Sequence, residues 1–142
     1  MPARHLAATV AAGEIAVIGI GRSGAAVARL LQAAGGRVYV SDRADTPAAQ
    51  ATARELRALG IVVDVGAHDL ARIARAALVV ASPGVPPTAP PLRAALEAGV
   101  AIVSEIEIAL RALPSVPYIG ITGTNGKTTV TALCAHLARA LD

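Results

Sequence analysis

The stretch EIAVIGIGRSGAAVARLLQAAGGRVYVSD (14–42) decides how this chain is read. Its opening, EIAVIG (14–19), is an apolar run rich in branched residues and predicts a strand. SGAAVARLLQAAGG (23–36) shows helical spacing and ends in glycine, a common helix stop. RVYVSD (37–42) predicts a second strand. Between the first strand and the helix lies GIGRSG. There Gly19 permits a tight turn, Gly21 lets a phosphate approach the backbone, and Gly24 lets the helix pack close to the sheet. The free N–H groups and positive end of such a helix favour an anion. Asp42 ends the second strand, where an acid in this pattern meets a ribose hydroxyl. A glycine turn with no ligand is the plain alternative. The strand, helix and acid in their required places favour a loop for a dinucleotide or another nucleotide diphosphate.

Further along, the same alternation continues. Thr46 and Pro47 form a helix start, with a capping hydroxyl followed by the residue best suited to the first turn. That helix should run to about Leu59 and stop at Gly60. IVVDV (61–65), ALVVAS (77–82) and VAIVS (100–104) predict three more strands, with helices near 69–76, 89–98 and 105–112. The strands are continuous apolar runs, as expected when helices cover both faces of a parallel sheet. The expected fold is α/β, a Rossmann-like doubly wound parallel sheet. ALPSVP (112–117) is the candidate domain boundary. It divides the chain into a Rossmann-like domain, 1–113, and the start of a second domain, 114–142, opening with a strand at 118–122 (YIGIT).

A second glycine loop follows that strand: GTNGKTT, Gly123 to Thr129. In a phosphate-binding loop the backbone N–H groups wrap phosphate oxygens, a lysine reaches the terminal phosphates and a threonine hydroxyl binds Mg²⁺. Lys127 and Thr128 hold those places. The strict spacing asks for glycine at 121, which is isoleucine, while Gly120 comes one residue early. Composition strengthens the match. All thirteen basic residues are arginine except Lys127, and Asn125 is the only asparagine. Lysine is a compact point charge that fits inside such a loop where arginine does not. The plain alternative is a Gly-Asn turn before an ordinary helix.

Composition excludes several classes. The 142 residues are 54% hydrophobic, yet hold two tyrosines and no phenylalanine or tryptophan, so the core rests on Val, Ile, Leu and Ala. No apolar run approaches the ~18 residues of a membrane span. MPARHLAATVAAGE makes a poor signal peptide, because its apolar patch is short and Glu14 follows at once; a short helix or an unstructured start is expected. One cysteine, Cys134, rules out an internal disulfide framework and a cysteine zinc cluster. The net charge of +3 comes from scattered arginines without stacking aromatics, which argues against nucleic acid.

Taken together, GIGRSG, VSD (40–42), VVASPGVP (79–86) and ITGTNGKTT (121–129) resemble the Mur ligase family, most closely its D-glutamate-adding branch. The resemblance covers nearly the whole chain and accounts for the off-pattern spacing of the second loop. It implies an ATP-dependent, cytoplasmic amide-forming ligase of peptidoglycan synthesis. ATP would activate the carboxylate of UDP-N-acetylmuramoyl-L-alanine as an acyl phosphate, and the amine of D-glutamate would attack it. By the same resemblance, Gly21, Arg22, Ser23 and Gly24 would lie against the uridine diphosphate, Asp42 and Arg43 near the uracil, and Ser82, Pro83 and Gly84 across the pocket. Gly123, Thr124, Asn125, Gly126, Lys127, Thr128 and Thr129 would hold ATP, with Lys127 and Thr128 serving catalysis and Thr128 binding Mg²⁺. Similar ligases continue into further domains. The chain is therefore expected to be the front of a longer, monomeric enzyme, with little or no turnover of its own. Under that expectation the apolar stripe of the last helix, Val130, Leu133, Cys134, Leu137 and Leu141, should be exposed. A Rossmann-like regulatory module would leave Lys127 unexplained. The L-alanine-adding ligases carry a longer glycine stretch in the first loop, and folylpolyglutamate synthases place their phosphate loop near the N-terminus.

Glu105 and Glu107 suggest an acid/base pair, but SEIE (104–107) fits a capping box better, with Ser104 as cap and Glu107 three residues on. His5, His68 and His136 have no metal-ligand spacing and read as surface or structural residues. Cys134 reads as a small core residue.

Overall fold

A computed structural model describes residues 3–113 and 118–140, with side chains in the first helix from Leu6 onward. Five parallel strands form one sheet: β1 (Glu14–Ile18), β2 (Arg37–Asp42), β3 (Val62–Val65), β4 (Leu78–Ala81) and β5 (Ile102–Ser104). Their order is β3-β2-β1-β4-β5. The chain winds outward from β1 to β3, then crosses back to place β4 on the other side of β1. This reversal creates a crevice at the carboxyl ends of β1 and β4, where doubly wound sheets bind ligands.

Strand alternation builds two cores. Ile15 and Val17 of β1 face one side, with Val38 and Val40 of β2. Ala16 and Ile18 face the other, with Tyr39. The first face is covered by α2 (Arg22–Ala33), α3 (Pro47–Ala58) and α6 (Glu105–Ala112), which contribute Leu31, Leu56 and Ile108, all fully buried. The second face is covered by α4 (Leu70–Ile73) and α5 (Pro90–Glu97), through Ile73, Leu92 and Ala95. With every inner strand buried on both sides, the apolar runs need no polar alternation.

The N-terminus folds as α1 (Ala3–Ala11), which lies against α6. Leu6 enters the core, and Arg111 donates to the Thr9 hydroxyl at 3.1 Å. Thr46 caps α3 by accepting from the Ala49 N–H, with Pro47 in the first turn, and the helix ends before Gly60 at φ +81°. The expected helix at 69–76 is shorter. Asp69 caps a single turn, α4, after which three-residue turns at Arg75 and Ala76 carry the chain into β4.

Further expectations need correction. Residues 118–122 form no strand, because a strand exists only through ladder partners and none pairs with it among the described residues. The capping box is half made. The Ser104 hydroxyl accepts from the Glu107 N–H, but the Glu107 carboxylate turns to Arg111, at 3.0 Å, one helical turn on. Residues 114–117 of the expected boundary lie outside the described residues, as do the His5 side chain and Leu141.

The last helix, α7 (Lys127–Ala140), buries no residue. Val130, Leu133 and Leu137 are about half exposed, as expected for that stripe, and Cys134 is only partly covered rather than in the core.

One ion pair ties the sheet to its second face. Arg72 donates twice to the Glu14 carboxylate, both at 2.7 Å, and its guanidinium stacks 4.6 Å from the centre of the Tyr39 ring. The Arg72 hydrogen bonds hold the Glu14 carboxyl below its usual range, against a smaller opposing effect of burial. A depressed carboxyl stabilises the fold above its unfolded value near 4.5 and loses that contribution as pH falls through the folded value. Glu14→Gln should therefore destabilise the protein by roughly 1–2 kcal/mol at pH 7. In thermal melts from pH 7 to 3, the gap between variant and wild type should close below about pH 4.5; a gap of constant size would contradict this.

Candidate functional site

The loops after β1, β2, β3 and β4 all emerge at the carboxyl ends of the parallel strands. The loop after β1 begins at Gly19, whose φ of +108° only glycine adopts readily, and its N–H donates to the Ser41 carbonyl at 2.8 Å. Gly24 packs directly beneath it. A Cβ at Gly24 would stand 2.1 Å from the Gly19 carbonyl oxygen, so the helix approaches the loop more closely than a side chain permits. At Gly21 the opposite holds, since a Cβ there would meet nothing within 4 Å. Gly21 caps α2 without a side-chain hydrogen bond, and no acid lies in the first turn. The positive end of a 12-residue helix is thus left open to an anion. Arg22 and Ser23, both exposed, are its first residues.

Asp42 joins this loop to the next. Its Oδ2 accepts from the Ile20 N–H at 2.8 Å and its Oδ1 from the Ala44 N–H at 2.7 Å. Both carboxylate oxygens therefore hold backbone, which makes Asp42 an anchor of the loops as well as a wall residue. Arg43 beside it is exposed.

The loop after β4 supplies the opposite wall. The Ser82 N–H donates to the Ile18 carbonyl at 3.0 Å, and the Ser82 hydroxyl donates to Glu105 in the first turn of α6. Glu105 is only 6% exposed. A buried carboxylate needs such a partner, and the start of a helix favours its charge. The Ser82 side chain also fills the space over Gly19, where a Cβ would come within 2.6 Å of its oxygen.

These loops enclose a cleft of about 440 Å³. Gly19, Asp42, Arg43 and Gly84 line it, with Val85 and several prolines from the segment before α5. Of the residues named from sequence, the structure brings Asp42, Arg43 and Gly84 into the cleft. Gly21, Arg22 and Ser23 sit at the head of α2, two to four residues beyond cleft-lining Gly19, with Gly24 buried under them. Pro83 is exposed outside the lining, and the Ser82 hydroxyl is turned to Glu105.

Of the lining residues not singled out as ligand contacts, one is titratable. His68, in the loop after β3, is half buried against the cleft, with Nδ1 2.9 Å from the buried Ser41 hydroxyl. Burial pushes its imidazole below the usual histidine range, with Asp42 pulling upward and Arg43 downward by lesser amounts. The available signal was its place, three residues beyond the carboxyl end of β3.

The family model for the N-terminal domain of MurD-like Mur ligases matches residues 13–104, most of the chain and the whole sheet. The chain belongs to the MurD-like Mur ligases. It is 51% identical over 130 residues to a protein of Microcystis aeruginosa named UDP-N-acetylmuramoylalanine–D-glutamate ligase, covering 87% of this chain and 28% of that one. A protein of the same name from Trichlorobacter lovleyi is 48% identical over 124 residues, with 87% and 28% covered. Among solved structures, a pseudomurein peptide ligase type C from Methanothermus fervidus superposes with a TM-score of 0.59 at 34% identity, over 82% of this chain and 24% of that one. The chain thus spans less than a third of the length of these relatives.

In this MurD-like chain the second glycine loop stands apart from the cleft. Gly123 and Gly126 take positive φ, +149° and +78°, and Lys127 begins α7 with its ammonium donating to the Gly123 carbonyl. Gly123 to Thr129 are all exposed. Asn125 lies between the two turning glycines, and α7 has no acid in its first turn. An open helix start and one lysine folded over its own loop fit a polyphosphate. His136 is exposed on the same helix. Among the described residues no helix is long and apolar enough to cross a membrane.

Two substitutions separate packing from access in the first loop. Gly24→Ala should destabilise the protein by about 1–3 kcal/mol, because the added carbon collides with backbone. Gly21→Ala should change stability by no more than about 0.5 kcal/mol. Equal effects in denaturant melts would contradict this division of roles.

Proposed function

We propose that this chain is the substrate-binding front of an ATP-dependent ligase that adds D-glutamate to UDP-N-acetylmuramoyl-L-alanine in the cytoplasm. Residues 1–113 form the UDP-binding domain and 114–142 open the ATP-binding domain. The observation that carries the reading is the cleft at the carboxyl ends of β1 and β4, beside a helix start with neither cap nor acid. The names of the relatives supply the substrate pair.

The chain's own residues divide the work. The first N–H groups of α2, reached across the open face of Gly21, hold the diphosphate, with Arg22 and Ser23 beside it. Asp42 fixes the loop that carries those groups, and with Arg43 it flanks the uracil. Gly84 allows close approach from the opposite wall, while Ser82 keeps that wall in register through Glu105. In the second loop the N–H groups around Gly126 would cradle a polyphosphate, Lys127, which now donates to the Gly123 carbonyl, would meet its terminal phosphate, and the Thr128 hydroxyl would bind Mg²⁺. ATP, when bound, supplies the phosphoryl group that activates the substrate carboxylate. The protein's part in such a transfer is mainly positioning and charge neutralisation.

Calorimetry tests the reading. UDP should bind the chain, and NAD(H) should not. Binding of NAD(H) without binding of any uridine nucleotide would overturn it.

A further inference from the structure

The geometry points to His68 as the residue that reads the hydrogen-bonding edge of the uracil ring in the cleft. This rests on the cleft holding a uridine nucleotide. His68 enters from the loop after β3, a loop to which no ligand role has been given above.

Three observations place it there. First, its ring is oriented. Nδ1 pairs with the hydroxyl of Ser41, a fully buried residue of β2, so the imidazole cannot rotate freely. Second, its other nitrogen is accessible. Among the described residues every buried side-chain nitrogen and oxygen has a partner, whereas Nε2 of His68 has no protein partner, so it is accessible on a half-buried ring that lines the cleft. Third, few lining side chains remain to meet the edge of a base. The Asp42 carboxylate holds two backbone amides, and Ile18, Val85 and the prolines offer flat apolar contact. Of the remaining polar lining side chains, Arg43 and Thr88 are exposed, and His68 is the one that is half buried and held in one orientation.

These features select a base over a phosphate. A phosphate calls for a cation or an array of N–H groups, and the head of α2 provides the array. A half-buried imidazole with its charged form disfavoured is suited to an uncharged partner. A neutral ring nitrogen held in one orientation matches the edge of a planar heterocycle with alternating carbonyl and N–H groups. Whichever tautomer Ser41 selects, Nε2 presents one defined hydrogen-bonding group, and such a group discriminates strongly between ligand edges.

The test uses the chain itself, with UDP and inorganic pyrophosphate as probes in calorimetry. His68→Ala should weaken UDP binding about three- to tenfold, the worth of one hydrogen bond. Pyrophosphate binding should stay unchanged. His68→Gln, which restores a polar group near the Nε2 position, should recover most of the UDP affinity. Should the alanine variant fold poorly, His68→Phe keeps a ring of similar volume without the polar edge and should show the same selective loss. Unaltered UDP affinity in a folded His68→Phe protein would overturn the inference alone, as would an equal loss of pyrophosphate. A wild-type chain that binds no uridine nucleotide would overturn the reading of the cleft as well.

Discussion

One carboxylate holds the ligand edge of this sheet together. Asp42 sits at the end of β2 and accepts from Ile20 in the loop after β1 and from Ala44 in its own loop. Two charge-assisted hydrogen bonds to backbone fix two loops at once. Gly24 depends on that placement, because α2 is seated against the Gly19 carbonyl at a distance only glycine allows. The same turn leads from cleft-lining Gly19 to the start of α2, which has no side-chain cap. In the proposed function main-chain N–H groups meet the diphosphate, and Asp42 and Ser82 hold the loops that carry them.

The opposite wall is built on a similar plan. Ser82 is wedged over Gly19 and bonded to Glu105, so the loop after β4, the glycine loop and the start of α6 share one contact region. A sequence that uses almost no aromatics achieves this through small residues that approach closely. Tyr39 is the exception. It is fully buried in β2, donates to Asp64, accepts from the Asp69 N–H and lies under Arg72. It organises the second face of the sheet, on which the short α4 depends.

Much of this was legible in the residues. The strands announced themselves because burial on both faces demands unbroken apolar runs, and GIGRSG put Gly19 where the turn needs a positive φ and Gly24 where the helix packs too close for a side chain. Thr46-Pro47 marked α3 because local hydrogen bonding alone decides a helix start. What stayed hidden depended on partners distant in sequence. Glu105 was passed over in favour of a capping box of Ser104 and Glu107, because nothing local shows that it is buried against Ser82, 23 residues away. His68 read as structural because its contacts, Ser41 and Asp42, come from another strand. The segment 118–122 read as a strand from composition, but pairing is a property of neighbours that composition does not contain.

The central claim is that uridine nucleotide enters the crevice between β1 and β4. Amide chemical-shift mapping of the isotopically labelled chain during titration with UDP tests it most directly. The account predicts the largest shifts at Gly21 to Gly24, at Asp42 and Arg43, and at Gly84, with Gly123 to Thr129 little affected. Shifts confined to Gly123–Thr129, or spread evenly with none at the head of α2, would contradict it.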